Sequence, residues 1–181
     1  MQAEVERLRA ELAEAHRRIA ELEARADVDP LLDILNRRGF ERELARSVAY
    51  VQRYGTAAAL MFIDLDGFKA VNDRHGHAVG DALLKAVAAA LTGHVRASDV
   101  VGRLGGDEFG LVMWNVEGAS AVAKAHGLER LIEAAGIAHG AGRLSVGASA
   151  GVVSLADAQD VTQVLDAADR AMYARKRERR G

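Results

Sequence analysis

Apolar residues recur at alternating spacings of three and four from the start of the chain: Val5, Leu8, Leu12, Ala15, Ile19, Leu22 and Ala26. That spacing puts them on one narrow stripe of a helix, the seam of a two-stranded coiled coil. Nearly everything between is Glu, Arg or Ala, and Arg9, Glu11, Arg18, Glu23 and Arg25 stand where charges meet across such a seam. The pattern predicts a parallel homodimer through a helical arm; the other arrangement it allows is a lone amphipathic helix folded against the domain. The helical period stops at Asp29-Pro30, since the residue before a proline is pushed out of the helical region. Pro30 is the only proline in the chain, so the division is an arm over 1–28 and a domain over 29–181.

Past Pro30, helix-like stretches and apolar runs alternate. Helices are expected over Arg37 to Tyr54, Gly80 to Val95, Gly118 to Ala135 and Val161 to Arg177. Apolar runs at Ala57 to Ile63, Val100 to Leu104 and Phe109 to Trp114, and a Ser/Gly/Val stretch at Arg143 to Val153, read as strands. Interleaved helices and strands ask for one sheet with helices packed on it, an α/β or α+β layered domain.

Composition narrows this reading. With 181 residues, half of them hydrophobic and 28% charged, the chain has room for one core and an appendage. The absence of cysteine removes disulfides, thiolate ligands and a cysteine nucleophile, and suits a cytoplasmic location. No stretch approaches the roughly 18 apolar residues of a spanning helix, so no membrane segment is expected. A net charge of -2 argues against a nucleic-acid polymer as partner, unless the charges are unevenly placed. They are uneven: basic residues gather at Arg175-Lys176-Arg177 and Arg179-Arg180, whereas acids gather at two predicted strand ends.

The run from Ala57 to Ile63 stops at Asp64-Leu65-Asp66, and Asp107-Glu108 follows Gly105-Gly106 between two apolar runs. The glycine pair is expected to supply the positive φ angles of a tight hairpin with acids at its tip. Carboxylates gathered in this way repel unless a cation lies between them. An oxygen-only set from Asp64, Asp66, Asp107 and Glu108 suits Mg2+ or Mn2+, two of which can clamp the attacking and leaving oxygens of a phosphoryl transfer. Taken singly, each acid pair is equally readable as solvated loop.

Gly105-Gly106-Asp107-Glu108-Phe109 resembles the signature of the GGDEF family, the diguanylate cyclases. Three further blocks resemble that family in order. Phe62 to Lys69 is followed by Val71-Asn72-Asp73, Gly76-His77 and Gly80-Asp81; Ser149 to Val152 resembles the last strand and Ala168 to Tyr173 the last helix. The resemblance covers about residues 29 to 180. It implies a nucleotidyl cyclase fold, palm-like, with a central mostly antiparallel sheet and surrounding helices, preceded here by the long coiled-coil helix.

The resemblance further implies that two GTP molecules are joined into cyclic di-GMP with loss of two pyrophosphates. On this template Asp64, the carbonyl of Leu65, Asp107 and Glu108 hold two Mg2+ or Mn2+ ions per site, with Asp107 as candidate general base and Arg103 stabilising charge at the reacting phosphate. Phe68 and Lys69 meet phosphate through backbone N–H groups, and Lys176 and Arg180 hold the terminal phosphates. Asn72 and Asp81 read the base: a carboxylate accepts from guanine N1–H and the 2-amino group, whereas adenine leaves it unpaired. Arg96 and Asp99 form the family's RxxD inhibitory site for the product. His75 and His77 are read as structural.

Two positions depart from the family pattern. Relatives typically have Thr-Gly where this chain has Leu32-Asp33, and Gly where it has Arg179. The expected enzyme is a product-inhibited diguanylate cyclase working as a coiled-coil homodimer. A catalytically silent receptor for cyclic di-GMP or GTP, acting through its coiled coil, is the alternative from another class.

Overall fold

The computed structural model describes residues 4–7, 9, 11, 12, 14, 17, 18 and 26–180. The described arm residues up to 26 are helical, and Val5 and Leu12 stand 46% and 57% exposed. Leu8, Ala15, Ile19 and Leu22, which complete the expected seam, lie outside the described residues.

The arm joins the domain through a hydrogen-bonded turn. Asp29 Oδ1 accepts from the backbone N–H groups of Leu31 and Leu32 at 2.9 and 3.0 Å. Asp33, half of the first departure, stands at φ 55, in the left-handed region, a conformation that glycine takes freely and aspartate tolerates. Asn36 caps helix α1 (Arg37–Tyr54), its side chain accepting from the N–H of Gly39 at 3.0 Å.

After α1 come β1 (Ala58–Asp66), α2 (Phe68–His75), α3 (His77–His94), β2 (Val100–Arg103), β3 (Glu108–Trp114), α4 (Gly118–Ala134), β4 (Ile137–His139), β5 (Gly142–Leu144), β6 (Gly147–Ser154) and α5 (Val161–Arg180). The main sheet has the order β2-β3-β1-β6 with every neighbouring pair antiparallel, and β4 pairs with β5 in a separate ribbon. An antiparallel central sheet with surrounding helices is the architecture expected from the sequence.

The unbroken apolar run of β1 has a direct cause. Ala59, Met61, Ile63 and Leu65 pack in one core with Leu83, Leu84, Val87 and Leu91 of α3 and Leu128 and Ile132 of α4. Ala58, Leu60 and Phe62 belong to a second core with Phe40, Leu44, Val48 and Val51 of α1 and Val164, Leu165, Ala168 and Met172 of α5. A strand covered on both faces shows no alternation. The period of two still operates, and it sends Asp64 and Asp66 to the α5 side with Leu65 opposite.

Several boundaries differ from expectation. An eight-residue helix, α2, stands where no helix is expected from the sequence; its sole buried residue is Phe68, so it carries no apolar period to detect. α3 begins at His77 rather than Gly80, and the stretch from Arg143 is divided between β5 and β6. The last helix continues to Arg180. Among the described residues, no helix is long and apolar enough to cross a membrane.

α5 lies directly on β6 at Gly151, where an added Cβ would stand 2.1 Å from the backbone N of Met172 and 2.3 Å from the carbonyl oxygen of Ala168. Backbone on both sides cannot yield as a side chain can. Gly151→Ala is expected to cost about 1–3 kcal/mol by overpacking, measured as a lower urea midpoint at unchanged slope.

Candidate active site

The sheet register brings the acids together. Asp64 is the direct cross-strand partner of Glu108 on β3 and of Ser149 on β6. The Leu65 N–H donates to the carbonyl oxygen of Asp107 at 3.1 Å, which ties the end of β1 to the connection between β2 and β3. The Ser149 hydroxyl donates to both oxygens of Asp66 at 3.1 and 3.0 Å.

That connection is built differently from the expected tight turn. Neither Gly105 nor Gly106 has a positive φ. The N–H of Leu104 reaches the carbonyl of Glu108 at 2.8 Å, closing a wider loop that needs no left-handed residue. A Cβ at 105 would lie 2.5 Å from Glu108 Oε2, the movable end of that side chain, so the Glu108 carboxylate rests directly against the loop. Arg103 secures the same loop. Its guanidinium donates to the carbonyl oxygen of Gly105 at 3.0 Å, to that of Gly106 at 3.2 and 2.8 Å, and to Asp29 Oδ2 at 3.1 Å. In this structure Arg103 holds the acidic loop to the arm–domain turn rather than facing open solvent.

The electrostatics are those of crowded acids. Burial, and next the charge of Asp64, raise the Asp107 carboxyl above its ordinary range, against the lowering effects of its backbone hydrogen bond, Lys176 and Arg103. Burial, Asp64, Asp107 and Asp169 raise Glu108, with Arg37 acting in the opposite sense. Lys176 supplies the nearest cation: its ammonium is bound to Asp64 and lies 3.8 Å from Asp66. Among the described residues no three acidic or imidazole side chains converge as a finished chelate. The donor set nevertheless fits a hard divalent cation, since hard oxygen ligands gathered against their own repulsion are what such an ion requires.

The other expected ligand-binding positions surround this centre unevenly. Gly67, at φ 77, turns the chain from β1 into α2, whose first turn has no side-chain cap; Phe68 is buried and Lys69 exposed. Asn72 lies against Gly80, where an added Cβ would stand 1.9 Å from Asn72 Oδ1. That oxygen is buried without a hydrogen-bond partner, and Asp81, the next residue along α3, is exposed. Arg180 ends α5, but its side chain lies outside the described residues.

Arg96 and Asp99 stand apart from the acids, before β2. The Asp99 carboxylate is fully buried: it accepts from the Trp114 N–H at 3.1 Å and the Arg96 N–H at 3.0 Å, and pairs with Lys124 at 3.5 Å. Arg96 itself is exposed. Asp99 therefore serves the fold here, and the arginine is the exposed half of the motif.

Several neighbours were missed from the sequence. Arg37 and Asp169 act on Glu108 from α1 and α5, although neither lies near it in the chain. Arg175, part of the basic cluster that closes the sequence, is paired with Glu129 of α4. Arg179, the second departure, contacts Glu129, Glu133 and Asp66. Acid and base spacing along α4 and α5 was the only available signal for that pairing.

Comparison with known proteins agrees with this geometry. The family model described as "Diguanylate cyclase, GGDEF domain" matches residues 26–181. Over 177 residues the chain is 41% identical to the probable diguanylate cyclase DgcE of Escherichia coli strain K12, covering 94% of this chain and 16% of that protein. It is 35% identical over 164 residues to the diguanylate cyclase TpbB of Pseudomonas aeruginosa, covering 90% of this chain and 38% of that one; it thus spans well under half the length of both relatives. A sensory box/GGDEF family protein from Caulobacter crescentus has a similar solved structure, with TM-score 0.76, 35% identity and coverage of 84% of this chain and 99% of that one. The coiled coil and GGDEF domain of DgcB from the same organism, in complex with c-di-GMP, gives TM-score 0.78 at 27% identity, covering 98% of this chain and 94% of that one. The chain belongs to the GGDEF family of diguanylate cyclase domains.

Proposed function

We propose that this domain condenses two GTP molecules into cyclic di-GMP with release of two pyrophosphates. The observation that carries the reading is the register that sets Asp64 against Glu108, with Asp107 tied to Leu65, at the end of the sheet where Gly67 turns into an uncapped helix. Each 3′-hydroxyl attacks the other nucleotide's α-phosphate, so two P–O bonds form as two break to pyrophosphate. Bound Mg2+ or Mn2+, two per site, neutralises the triphosphate and acidifies the hydroxyl. Asp64, the Leu65 carbonyl, Asp107 and Glu108 are the groups to hold it.

The remaining residues bind and orient. Phe68 and Lys69 offer backbone N–H groups to phosphate at the N-terminus of α2. Lys176 and Arg180 bring full charges to the terminal phosphates, Lys176 from a position where it pairs with Asp64. Asp81, with Asn72, pairs the guanine edge. Asp107 is the candidate base. Arg103, with its donors engaged, keeps the acidic loop in place.

One such centre serves one GTP, and the product needs two, so two domains have to meet face to face. Exposed Val5 and Leu12, and a match that runs through the coiled coil of DgcB, support a parallel coiled-coil homodimer as the means. A cytoplasmic location fits the substrate.

Incubation with GTP and Mg2+ is expected to yield cyclic di-GMP and pyrophosphate. Glu108→Gln is expected to lower turnover by about a hundredfold or more without lowering the melting temperature of the metal-free protein, because it removes a charge that the folded state disfavours. GTP binding without product at high protein concentration would favour the receptor reading instead.

The raised pKa values of Asp107 and Glu108 fix a pH trend. A carboxyl raised in the fold favours folding below its ordinary pKa and loses that contribution as pH rises through the raised value. Metal needs the ionised forms, so turnover is expected to fall with acidification above the ordinary carboxylate range. More Mg2+ should move that limb to lower pH, as the ion competes with protons; a limb insensitive to metal concentration contradicts the assignment.

Product inhibition forms part of the proposal on narrower grounds. Arg96 is free to meet phosphate, whereas Asp99 has to release Lys124 or a backbone N–H to accept from guanine. Arg96→Ala is expected to raise the inhibitory concentration of cyclic di-GMP by about tenfold or more, a charge-assisted contact being lost; unchanged inhibition rejects the site.

A further inference from the structure

The five basic residues that close α5 are not equivalent. Glu129 of α4, whose side chain is only 2% exposed, gathers four N–H donors. Its Oε1 accepts from the backbone of Ala150 at 3.0 Å and from Arg175 Nε at 3.2 Å. Its Oε2 accepts from Arg175 Nη2 at 2.9 Å and Arg179 Nη1 at 3.3 Å. Burial alone would raise this carboxyl; the Arg175 hydrogen bond, the Ala150 N–H and the two arginine charges outweigh it and hold it below its ordinary range. The carboxylate also answers a need of the sheet: β6 is an outer strand, and a donor on its outward edge has no strand to pair with.

Arg179 continues the clamp to Glu133 and lies 3.9 Å from Asp66. Glu129 and Glu133 are one turn apart on α4, as Arg175 and Arg179 are on α5, so acids and arginines meet rung against rung. Lys176 follows Arg175 by one residue, about 100° around the helix, and it is this ammonium that lies on Asp64. Rotation of α5 is therefore fixed on one side by Glu129 and expressed on another at the acidic centre.

We propose that Glu129 is a positioning residue for the reaction: through Arg175 it sets the rotation and height of the end of α5, and so places Lys176 where the triphosphate binds. The proposal rests on the GTP reading above. The partners of the Glu129 carboxylate are Ala150, Arg175 and Arg179, none of them assigned above to metal or phosphate, and it acts through the helix it holds.

Glu129→Gln keeps the size of the side chain and an acceptor for Ala150 but removes the charge that grips Arg175. It is expected to raise KM for GTP about tenfold while kcat changes less than about twofold. In a Lys176→Met background the same substitution is expected to change KM clearly less than in the wild type, since Lys176 is gone and only Arg180 is left at that helix end to be misplaced. Arg175→Gln breaks the contact from the other side and should repeat both results. A lower melting temperature with unchanged KM, a full effect persisting in the Lys176→Met background, or failure of both variants to fold would each assign Glu129 a structural role only and overturn the proposal. Affinity for 3′-deoxy-GTP, which lacks the attacking hydroxyl, gives the same comparison without turnover. A wild type that binds this analogue but forms no product overturns the cyclase reading alone and leaves the clamp decided by the affinities; a wild type with no affinity for it overturns both.

Discussion

Like charges placed opposite one another by strand register form the constraint around which this domain is organised. Directly paired residues on antiparallel strands have Cβ atoms about 5 Å apart, and two unit charges at that distance repel by about 3 kcal/mol at an effective dielectric of 20. The pairing of Asp64 with Glu108 is fixed by seven consecutive register pairs of β1 with β3, so the acids cannot slip apart without turning every core residue of a strand to the wrong face. The apolar layers on both sides of β1 thus hold the repulsion in place. What remains is to neutralise it, and Lys176, paired with Asp64 and 3.8 Å from Asp66, does so in part.

Much of this was legible in the chain because it depended on local rules. The β1 run, its abrupt end at Asp64, and the acids after Gly105-Gly106 follow from period, burial and turn chemistry, and the ordered blocks then placed them in a family. The turn itself was read for the wrong reason. Gly105 has no positive φ, and the one close approach at its Cβ position is the movable end of the Glu108 side chain, so a glycine pair in a sequence is not by itself a left-handed turn. Asp33 is the converse case: a glycine-type conformation is retained in an aspartate, which the sequence displayed only as a departure.

The parts that were not legible are long-range pairings between elements. Arg103, expected to stabilise charge at the reacting phosphate, has its donors spread over two loop carbonyls and an aspartate 74 residues earlier. Asp99, expected at the product site, also accepts from the Trp114 backbone N–H and pairs with Lys124, 15 and 25 residues away. Glu129 sits within an otherwise apolar helix face, and its partners lie 21 and 46 residues away. No spacing rule connects such residues, because each contact is created by the packing of α4 and α5 on the outer strand rather than by either helix alone.

The same packing changes the meaning of the chain's charge. A cluster of arginines and a lysine at the end of α5 suggests a diffuse attractive field for an anion, but two of those charges are spent within the fold, Arg175 on Glu129 and Arg179 on Glu129, Glu133 and Asp66. Spent in this way they act on geometry: a buried carboxylate with two arginines fixes a helix end to a fraction of a turn, which a solvated cluster cannot do. Lys176, held between that clamp and Asp64, then acts as a directed charge. In the proposed reaction between two domains a single directed ammonium would suit better than a diffuse field, because each nucleotide would have to present its α-phosphate to a hydroxyl arriving from the other chain, and small errors in placement from both sides would add.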